Sequence, residues 1–344
     1  MKQLFAELDV AGVRLANRIV LPPMATEQAD AEGHPSPATA GYYGSLAATG
    51  VALVVVEHSY VAPEGRASPR QMSLASDAHI AGHAAIVAAI HAAGSLCAAQ
   101  ISHSGSNRRA EMPGRCLGPS AVENPVSHLV PEEMSNSDIV EAIRAFGAAA
   151  ARVHGAGYDF VEVHCAHGYL LGQFLSPLTN HRGDTYGGTP AARRRLLLEV
   201  VEEVRAAVHG DLPLMVRLGV ADNPPTLQLY EGGLTIAEGV EAARALDDAG
   251  VAILDLSAGI CGSRPTRVTG EAYFRSEAYF RPFAEAVSAA VHCHVVCTGG
   301  ITQPQTAEEI IQSGAADLVG VARAIAADHD WVRKAREATG HQAI

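Results

Sequence analysis

The stretch CHVVCTGGITQPQTAEEIIQSGAADLVGVARAI, residues 293–325, contains two short apolar runs separated by a helical pattern. Neither run alternates apolar with polar residues, which is typical of parallel strands covered on both faces. Two parallel strands need a crossover connection, usually a helix. The stretch therefore predicts one strand–helix–strand unit of an α/β fold.

Apolar runs of this kind occur eight times, with helical patterns between them. They begin at Arg18, Val51, Ser95, Tyr158, Leu212, Val251, Cys293 and Ala316. Eight such units close into a (β/α)8 TIM barrel more naturally than into an open sheet. We expect an α/β fold made of this barrel, a short N-terminal hairpin and long loops on the active face. Because no linker-like stretch divides the chain, residues 1–344 are predicted to form a single domain.

One of the helical patterns is SDIVEAIRAFGAAAARVHGAG, which has apolar residues at three- and four-residue spacing and ends in glycine. This pattern predicts a helix with Ser137 as its N-cap.

Composition limits the class of partner. The 344 residues are 48% apolar, and 25 lysines and arginines against 37 acids give a net charge of −12. No block of five basic residues occurs, so we expect a small-molecule partner and neither nucleic acid nor a membrane. The six cysteines form no C-x-x-C pair, and no export signal or membrane span is visible. We expect reduced thiols, no metal and a cytoplasmic protein.

All eight predicted strands end in polar or glycine-rich residues. In TIM barrels the reacting groups lie at the C-terminal ends of the strands, so these residues should share one mouth. Gly299 and Gly300 follow the seventh strand and Arg323 follows the eighth, where barrels commonly hold a phosphate. Glycines that only make tight turns are the alternative. The pattern indicates a phosphate on a cofactor or substrate and does not name a reaction.

Two residues of the mouth suggest a flavin. Gln100 offers a donor and an acceptor, and Arg217 offers donors only. Such a pair suits the N3/O4 and N1/O2 edges of a flavin ring, on which negative charge increases on reduction. An ordinary ion pair is the alternative for Arg217.

The motifs LPPMA, AAQISHSG, HCAHGYL with SPLTNHRGDTYGG, MVRLG, TGGI and ADLVGVAR together carry a resemblance to a known family. From about Leu4 to Trp331 the chain resembles the old yellow enzymes, FMN-dependent ene-reductases, and within them a bacterial, thermophilic-type branch. The resemblance implies non-covalent FMN, with NADPH or NADH as electron donor, and a homodimer or homotetramer. No G-x-G-x-x-G fingerprint occurs, so the nicotinamide should use the same mouth as the substrate and the kinetics should be ping-pong.

The resemblance also implies roles for individual residues. His164 and His167 would bind the carbonyl oxygen of an activated alkene, hydride would pass from flavin N5, and Tyr169 would protonate the α-carbon. Other readings of the histidine pair are a metal site or packed side chains; His292 and His294 lie at the opposite end of the barrel. The expected cofactor-binding residues are Pro23, Met24, Ala25, Tyr60, Gln100, Arg217, Ser257, Gly299, Gly300, Ala322 and Arg323.

Some positions depart from the family pattern. Ala25 stands where relatives often carry a Cys or Thr that contacts the flavin. Tyr60 stands where relatives often have a small residue, so its ring either narrows the pocket or points outward. Two functions remain as alternatives to ene reduction: a flavin dehydrogenase acting oxidatively on an amine or saturated ring, and a flavin subunit that passes electrons to a protein partner.

Two long loops follow the third and sixth strands. The first opens with His103, Ser104 and Arg108 and is expected to cap the site. The second is interpreted either as a binding segment for an anionic substrate or nucleotide phosphate, or as a solvated or subunit-facing loop. Its arginines are Arg264, Arg267, Arg275 and Arg281.

Overall fold

The computed structural model describes residues 3–225, 227–260 and 275–340 of the chain. The strands are β1 (Leu8–Val10), β2 (Val13–Leu15), β3 (Ile19–Leu21), β4 (Leu53–Tyr60), β5 (Leu96–Ser102), β6 (Leu117–Gly118), β7 (Glu132–Glu133), β8 (Phe160–Cys165), β9 (Leu214–Gly219), β10 (Ile253–Ser257), β11 (His294–Thr298) and β12 (Leu318–Gly320). Eight of them close into a parallel barrel in the order β3, β4, β5, β8, β9, β10, β11, β12, with β12 paired to β3. These eight coincide with the predicted apolar runs, so the (β/α)8 prediction is confirmed.

A hairpin closes one end of the barrel. Strands β1 and β2 pair antiparallel, and Val10 and Leu15 belong to the same buried apolar cluster as Leu53, Phe160 and Met215. Those three residues lie near the amino-terminal ends of their strands. The hairpin therefore packs against the base of the barrel, and the carboxyl ends of the strands form the opposite mouth.

Helices connect the barrel strands. They are α1 (Pro37–Ala47), α2 (Ile80–Ala92), α3 (Asn136–Gly155), α4 (Leu170–Leu175), α5 (Pro190–Arg193), α6 (Arg195–Ala207), α7 (Ile236–Asp248), α8 (Arg281–Ser288), α9 (Pro304–Ser313), α10 (Arg323–Ala327) and α11 (Trp331–Ala338). Among the described helices, none combines the length and apolar character that a membrane crossing requires.

The N-cap of α3 differs from the sequence prediction. Helix α3 begins after Ser135, whose Oγ accepts a hydrogen bond from the Asp138 N–H, while the Asp138 carboxylate accepts one from the Ser135 N–H. Ser137 lies inside the first turn, so its prediction as the cap was wrong. Only Ser135 has an acidic residue three positions later, and this pair satisfies two helix-end donors reciprocally.

The five cysteines in the described ranges are free thiols. Cys97, Cys165 and Cys297 are buried, and burial is the largest cause that raises the pKa of each of these thiols. Cys261 lies outside the described residues.

The capping arrangement predicts a difference between two neighbouring serines. We expect Ser135→Ala to lower the free energy of unfolding by about 1 kcal/mol, because the orphan N–H groups of α3 lose their acceptor. Ser137→Ala is the matched control and should cost clearly less, since the Ser137 Oγ bonds the Ser135 hydroxyl rather than a helix-end N–H. Urea denaturation of both variants measures the difference, and equal losses would contradict the assignment of the cap.

Candidate active site

Three predicted catalytic side chains meet at the barrel mouth. His164 ends the inward face of β8, and His167 and Tyr169 follow on the turn into α4. The ring centroids of His164 and His167 are 5.1 Å apart, and those of His164 and Tyr169 are 4.9 Å apart. The structure therefore brings the two histidines and the tyrosine into one cluster.

The backbone after β8 makes this cluster possible. His167 and Gly168 both have positive φ, 58° and 68°. The side-chain amide of Asn107 donates to the His167 carbonyl at 2.9 Å and holds the turn. A Cβ at Gly168 would lie 1.7 Å from the carbonyl oxygen of Ile260, so only glycine fits this approach.

The two imidazoles are neutral at pH 7. Burial is the largest cause that lowers the pKa of His164 and of His167 well below the usual histidine value, and nearby Arg217 and His58 lower both further. His167 Nε2 is 2.6 Å from Ser257 Oγ. The Nδ1 atom of His164 is buried and has no hydrogen-bond partner among the described residues. Burial raises the pKa of Tyr169 above its ordinary value, so the phenol keeps its proton.

A buried polar layer lies one step down the same strands. Gln100 donates to Glu162 at 2.6 Å, and Thr298 donates to Asp255 at 2.9 Å. Arg217 forms an ion pair with Asp255 at 3.1 Å, so the ion pair considered from the sequence is present. The pKa values of Glu162 and Asp255 are both raised, and burial is the largest cause. The nearby Arg217 guanidinium opposes this shift at each carboxyl group.

Part of this layer remains unpaired. The Nε atom of Arg217 and the Oε1 atom of Glu162 are buried without hydrogen bonds to described residues. Because Gln100 uses its amide nitrogen on Glu162, its oxygen is the end left to accept from another molecule. Such orphaned donors and acceptors fit a polar ring system bound above them.

The glycines after β11 are required by packing. A Cβ at Gly299 would lie 2.6 Å from the Tyr279 ring, and one at Gly300 would lie 2.4 Å from the Ser276 carbonyl. Packing alone therefore requires glycine at both positions, whether or not they bind a phosphate. The N–H groups of Gly300 and Ala322 nevertheless donate to no described residue, and the exposed Arg323 guanidinium makes no ion pair with one. These donors remain open to an anion.

A cavity of about 480 Å³ opens beside Tyr169. The loop that begins at His103 forms part of its wall. Arg109 pairs with Glu27 across the cavity at 3.5 Å, and Arg108 donates to the backbone carbonyls of Glu64, Pro113 and Arg115. Its lining residues are Ala25, Glu27, His58, Ala67, Ser68, Asn107, Arg108, Arg109, Ala110, Glu111, Val126, Ser127 and Tyr169.

Four of the other predicted cofactor-binding residues differ in whether they line this cavity. Ala25 is exposed and lines the cavity, and Pro23 and Met24 are half-buried beside it. Tyr60 is absent from the described lining; its ring packs near Arg66 and its hydroxyl donates to the Glu32 carbonyl.

The second arginine-rich loop is only partly described. Arg264 and Arg267 lie outside the described residues. Arg281 pairs with Glu285 at 2.9 Å, which is typical of a solvated helix face.

Groups with metal-ligand spacing lie elsewhere in the described chain. His91, Cys97 and Asp159 form one such group, and Asp30, Glu32 and His34 form another. Neither includes His164 or His167.

Sequence reasoning assigned no role to three residues of the site: His58, at a predicted strand end, and the acids Glu162 and Asp255. Glu162 stands two residues before His164, and Asp255 stands two residues before Ser257. Because side chains alternate along a strand, this spacing places each acid on the same inward face as the residue already chosen. The period of two was therefore an available signal for both acids. His58 had a weaker signal, since it is only the last residue of the second apolar run.

The fold and the site define a class of protein: TIM barrels whose mouth carries neutral imidazole and phenol groups above a buried polar layer. Sequence comparison specifies the class. The profile of the NADH:flavin oxidoreductase / NADH oxidase family matches residues 3–342. The chain is 37% identical to an NADPH dehydrogenase of Bacillus licheniformis over 335 residues. The match covers 97% of this chain and 94% of the relative.

Two further proteins show the range of relatives. An NADH oxidase of Thermoanaerobacter brockii is 38% identical over 341 residues, but the chain spans only 50% of its length. The solved structure of an old yellow enzyme homologue from Zymomonas mobilis has a TM-score of 0.82 at 24% identity, over 99% of this chain and 94% of that one, and shows the shared fold. The chain belongs to the NADH:flavin oxidoreductase / NADH oxidase family, so the family predicted from the sequence motifs is confirmed; the cofactor of this family is FMN and its electron donor is NADH or NADPH.

The left-handed backbone at Gly168 predicts that alanine destabilises the protein far more at this position than at Gly172. Gly168→Ala should lower the free energy of unfolding by about 2 kcal/mol or more, since it combines a left-handed backbone with a backbone clash. Gly172→Ala is the control: its Cβ would make ordinary contacts at 3.7 Å within α4, and a helix favours alanine. Chemical denaturation compares the two, and a tolerated Gly168→Ala would contradict the described turn.

Proposed function

We propose that the protein reduces activated C=C bonds of α,β-unsaturated carbonyl compounds, using FMN and NADPH or NADH. The observation that carries the proposal is the cluster of His164, His167 and Tyr169, in which a buried imidazole nitrogen of His164 lacks a partner among the described residues. Bound FMN would accept hydride from the nicotinamide and give it to the β-carbon of the alkene.

The two histidines would bind the substrate carbonyl oxygen. As the β-carbon gains hydride, this oxygen acquires enolate charge, and donors already oriented toward it stabilise the transition state more than the ground state. The Ser257 hydroxyl, 2.6 Å from His167, would hold that ring in place. Because both imidazoles are neutral, their contribution comes from hydrogen bonding and should not depend on protonation near pH 7.

Tyr169 would donate a proton to the α-carbon. Its ring contacts that of His164, and burial keeps its phenol protonated. A positioned acid of this kind contributes about 100- to 10,000-fold to a rate.

The residues present fit FMN. Gln100 and Arg217 would hold the polar edge of the ring system with the Gln100 amide oxygen and the Arg217 Nε, which the described contacts leave unpaired. Gly299, Gly300, Ala322 and Arg323 would hold the phosphate, and Pro23, Met24, Ala25, Tyr60 and Ser257 complete the proposed set. We further propose one FMN-binding domain over residues 1–344, a cytoplasmic location, and a dimer or tetramer, as the family resemblance implies.

A visible absorption spectrum tests the proposal directly. FMN-loaded protein should lose its flavin bands on anaerobic addition of NADPH or NADH and regain them with cyclohexenone. His164→Ala should keep FMN and lose about 100-fold in the rate of enone-dependent recovery. His292→Ala, at the base of the barrel, is the control and should recover normally.

Three outcomes would count against parts of this proposal. A colourless protein that takes up no FMN would exclude the flavin assignment for this chain and favour a phosphate-bearing substrate. Loss of FMN in His164→Ala would place that residue in cofactor binding instead. Recovery with an amine-derived imine or a protein acceptor, but with no enone, would favour one of the two alternative functions.

The proton donor has its own test, in stopped-flow measurements of the two half-reactions from pH 6 to 10. Tyr169→Phe should slow oxidation by the enone about 100-fold or more and leave reduction by NADPH or NADH unchanged. Because burial raises the phenol pKa, the wild-type enone step should stay constant as pH rises toward the usual tyrosine value of 10. A fall centred below pH 10 that disappears in Tyr169→Phe would contradict the pKa direction.

A further inference from the structure

His58, near the end of β4, is a third histidine of the site and takes no part in the mechanism proposed for His164, His167 and Tyr169. The register of β4 against β5 shifts between Val56 and Ser59, so the irregularity falls around this residue. The His58 ring lies 5.4 Å from that of Tyr169 and 6.3 Å from that of His164, centroid to centroid. It also lines the cavity. The three rings therefore form a compact triangle, in which His58 neighbours both Tyr169 and His164.

The amide of Gln71 determines which His58 nitrogen carries the proton. Gln71 Oε1 accepts a hydrogen bond from the Ala67 backbone N–H at 2.7 Å, and a backbone N–H can only donate. The orientation of the amide is therefore fixed. Its NH₂ group faces His58 Nδ1 at 2.7 Å. A donor facing Nδ1 requires that Nδ1 be unprotonated.

His58 is consequently a neutral imidazole with its proton on Nε2. A protonated ring would set an Nδ1–H against the Gln71 NH₂, which leaves two donors in contact. Burial lowers the pKa of His58 to about 4, which agrees with the neutral ring required by the hydrogen bonds. Nε2 donates to no described residue and is not among the buried unsatisfied atoms, so it reaches the cavity.

We propose that His58 Nε2–H is a second binding donor for substrate, selective for alkenes that carry a second neutral carbonyl on the other side of the C=C bond. The proposal rests on the function proposed above and specifies its substrate class, the 2-ene-1,4-diones. One carbonyl would bind His164 and His167, and the other would bind His58. Tyr169, whose ring neighbours those of both His58 and His164, would then lie beside the alkene.

The charges around the cavity agree with a neutral substrate. Its described lining contains two arginines, Arg108 and Arg109, and two glutamates, Glu27 and Glu111, so the formal charges cancel. The Arg108 guanidinium is occupied by backbone carbonyls, and Arg109 is paired with Glu27. The reaction is balanced: ene-dione, NAD(P)H and one proton give the saturated dione and NAD(P)⁺. Hydride reaches one alkene carbon, and the other receives the Tyr169 proton, which solvent replaces.

Two ketones with the same carbon skeleton test the selectivity. His58→Phe should raise the KM for hex-3-ene-2,5-dione about 3- to 10-fold, which corresponds to the loss of one neutral hydrogen bond. For hex-3-en-2-one, which lacks the second carbonyl, the KM should change by less than about twofold, because this ketone makes no hydrogen bond to His58. Equal changes for both substrates, or no change for the dione, would overturn the proposed selectivity.

Nitrogen NMR of histidine-labelled, FMN-loaded protein tests the donor without relying on turnover. The His58 signals are assigned by their loss in His58→Phe or, if that variant misfolds, in His58→Gln. Wild-type protein at pH 7 should show an unprotonated Nδ1 and a protonated Nε2, and Gln71→Glu should move the proton to Nδ1. A protonated Nδ1 in the wild type would refute the tautomer.

The same spectra separate this proposal from the proposed function. Addition of hex-3-ene-2,5-dione to the protein with oxidised FMN should shift the His58 Nε2 signal. Addition of hex-3-en-2-one should leave this signal unchanged. If neither ketone is reduced but the dione shifts that signal, the ene-reductase function fails while the binding role of His58 stands. If both ketones are reduced and neither shifts it, the function stands and the role of His58 is refuted.

Discussion

Closure of the sheet between β12 and β3 is the constraint on which the rest of the structure depends. Every barrel strand is parallel to both neighbours, so the eight carboxyl ends must lie on a single rim. This is why His164, Arg217 and Ser257, which are distant in sequence, come together from β8, β9 and β10. The hairpin packed against the base leaves the rim as the end at which the described cavity opens.

Much of the architecture was predictable because the physical signal was strong. Strands buried on both faces must be apolar throughout, so the eight runs stood out from the helical patterns between them. The cluster of His164, His167 and Tyr169 was predictable for the same reason, since all three lie at or just after the end of such a run. Their mutual approach was not predictable in detail, because it depends on the left-handed backbone at His167, and positive φ is uncommon for residues other than glycine.

The missed residues had signals that other features masked. Glu162 and Asp255 sit inside predicted strands, where a single acid looks like an interruption of an apolar run rather than part of an inner layer. His58 depends on an irregularity in β4, which changes the direction of its side chain relative to strict alternation. Ser135 and Ser137 both precede apolar helical positions, and only the reciprocal bonds with Asp138 distinguish the cap.

The burial of the thiols has a practical consequence for chemical labelling. Alkylating reagents attack the thiolate, and in the described chain burial raises the pKa of Cys97, Cys165 and Cys297 while it removes their sulfur atoms from solvent. A cysteine introduced at the exposed Ala25 would therefore react ahead of these three. Once the other three cysteines, Cys116, Cys261 and Cys293, are replaced, the barrel mouth could carry a fluorophore or spin label while the buried thiols stay in place, and the label would report on what enters the cavity.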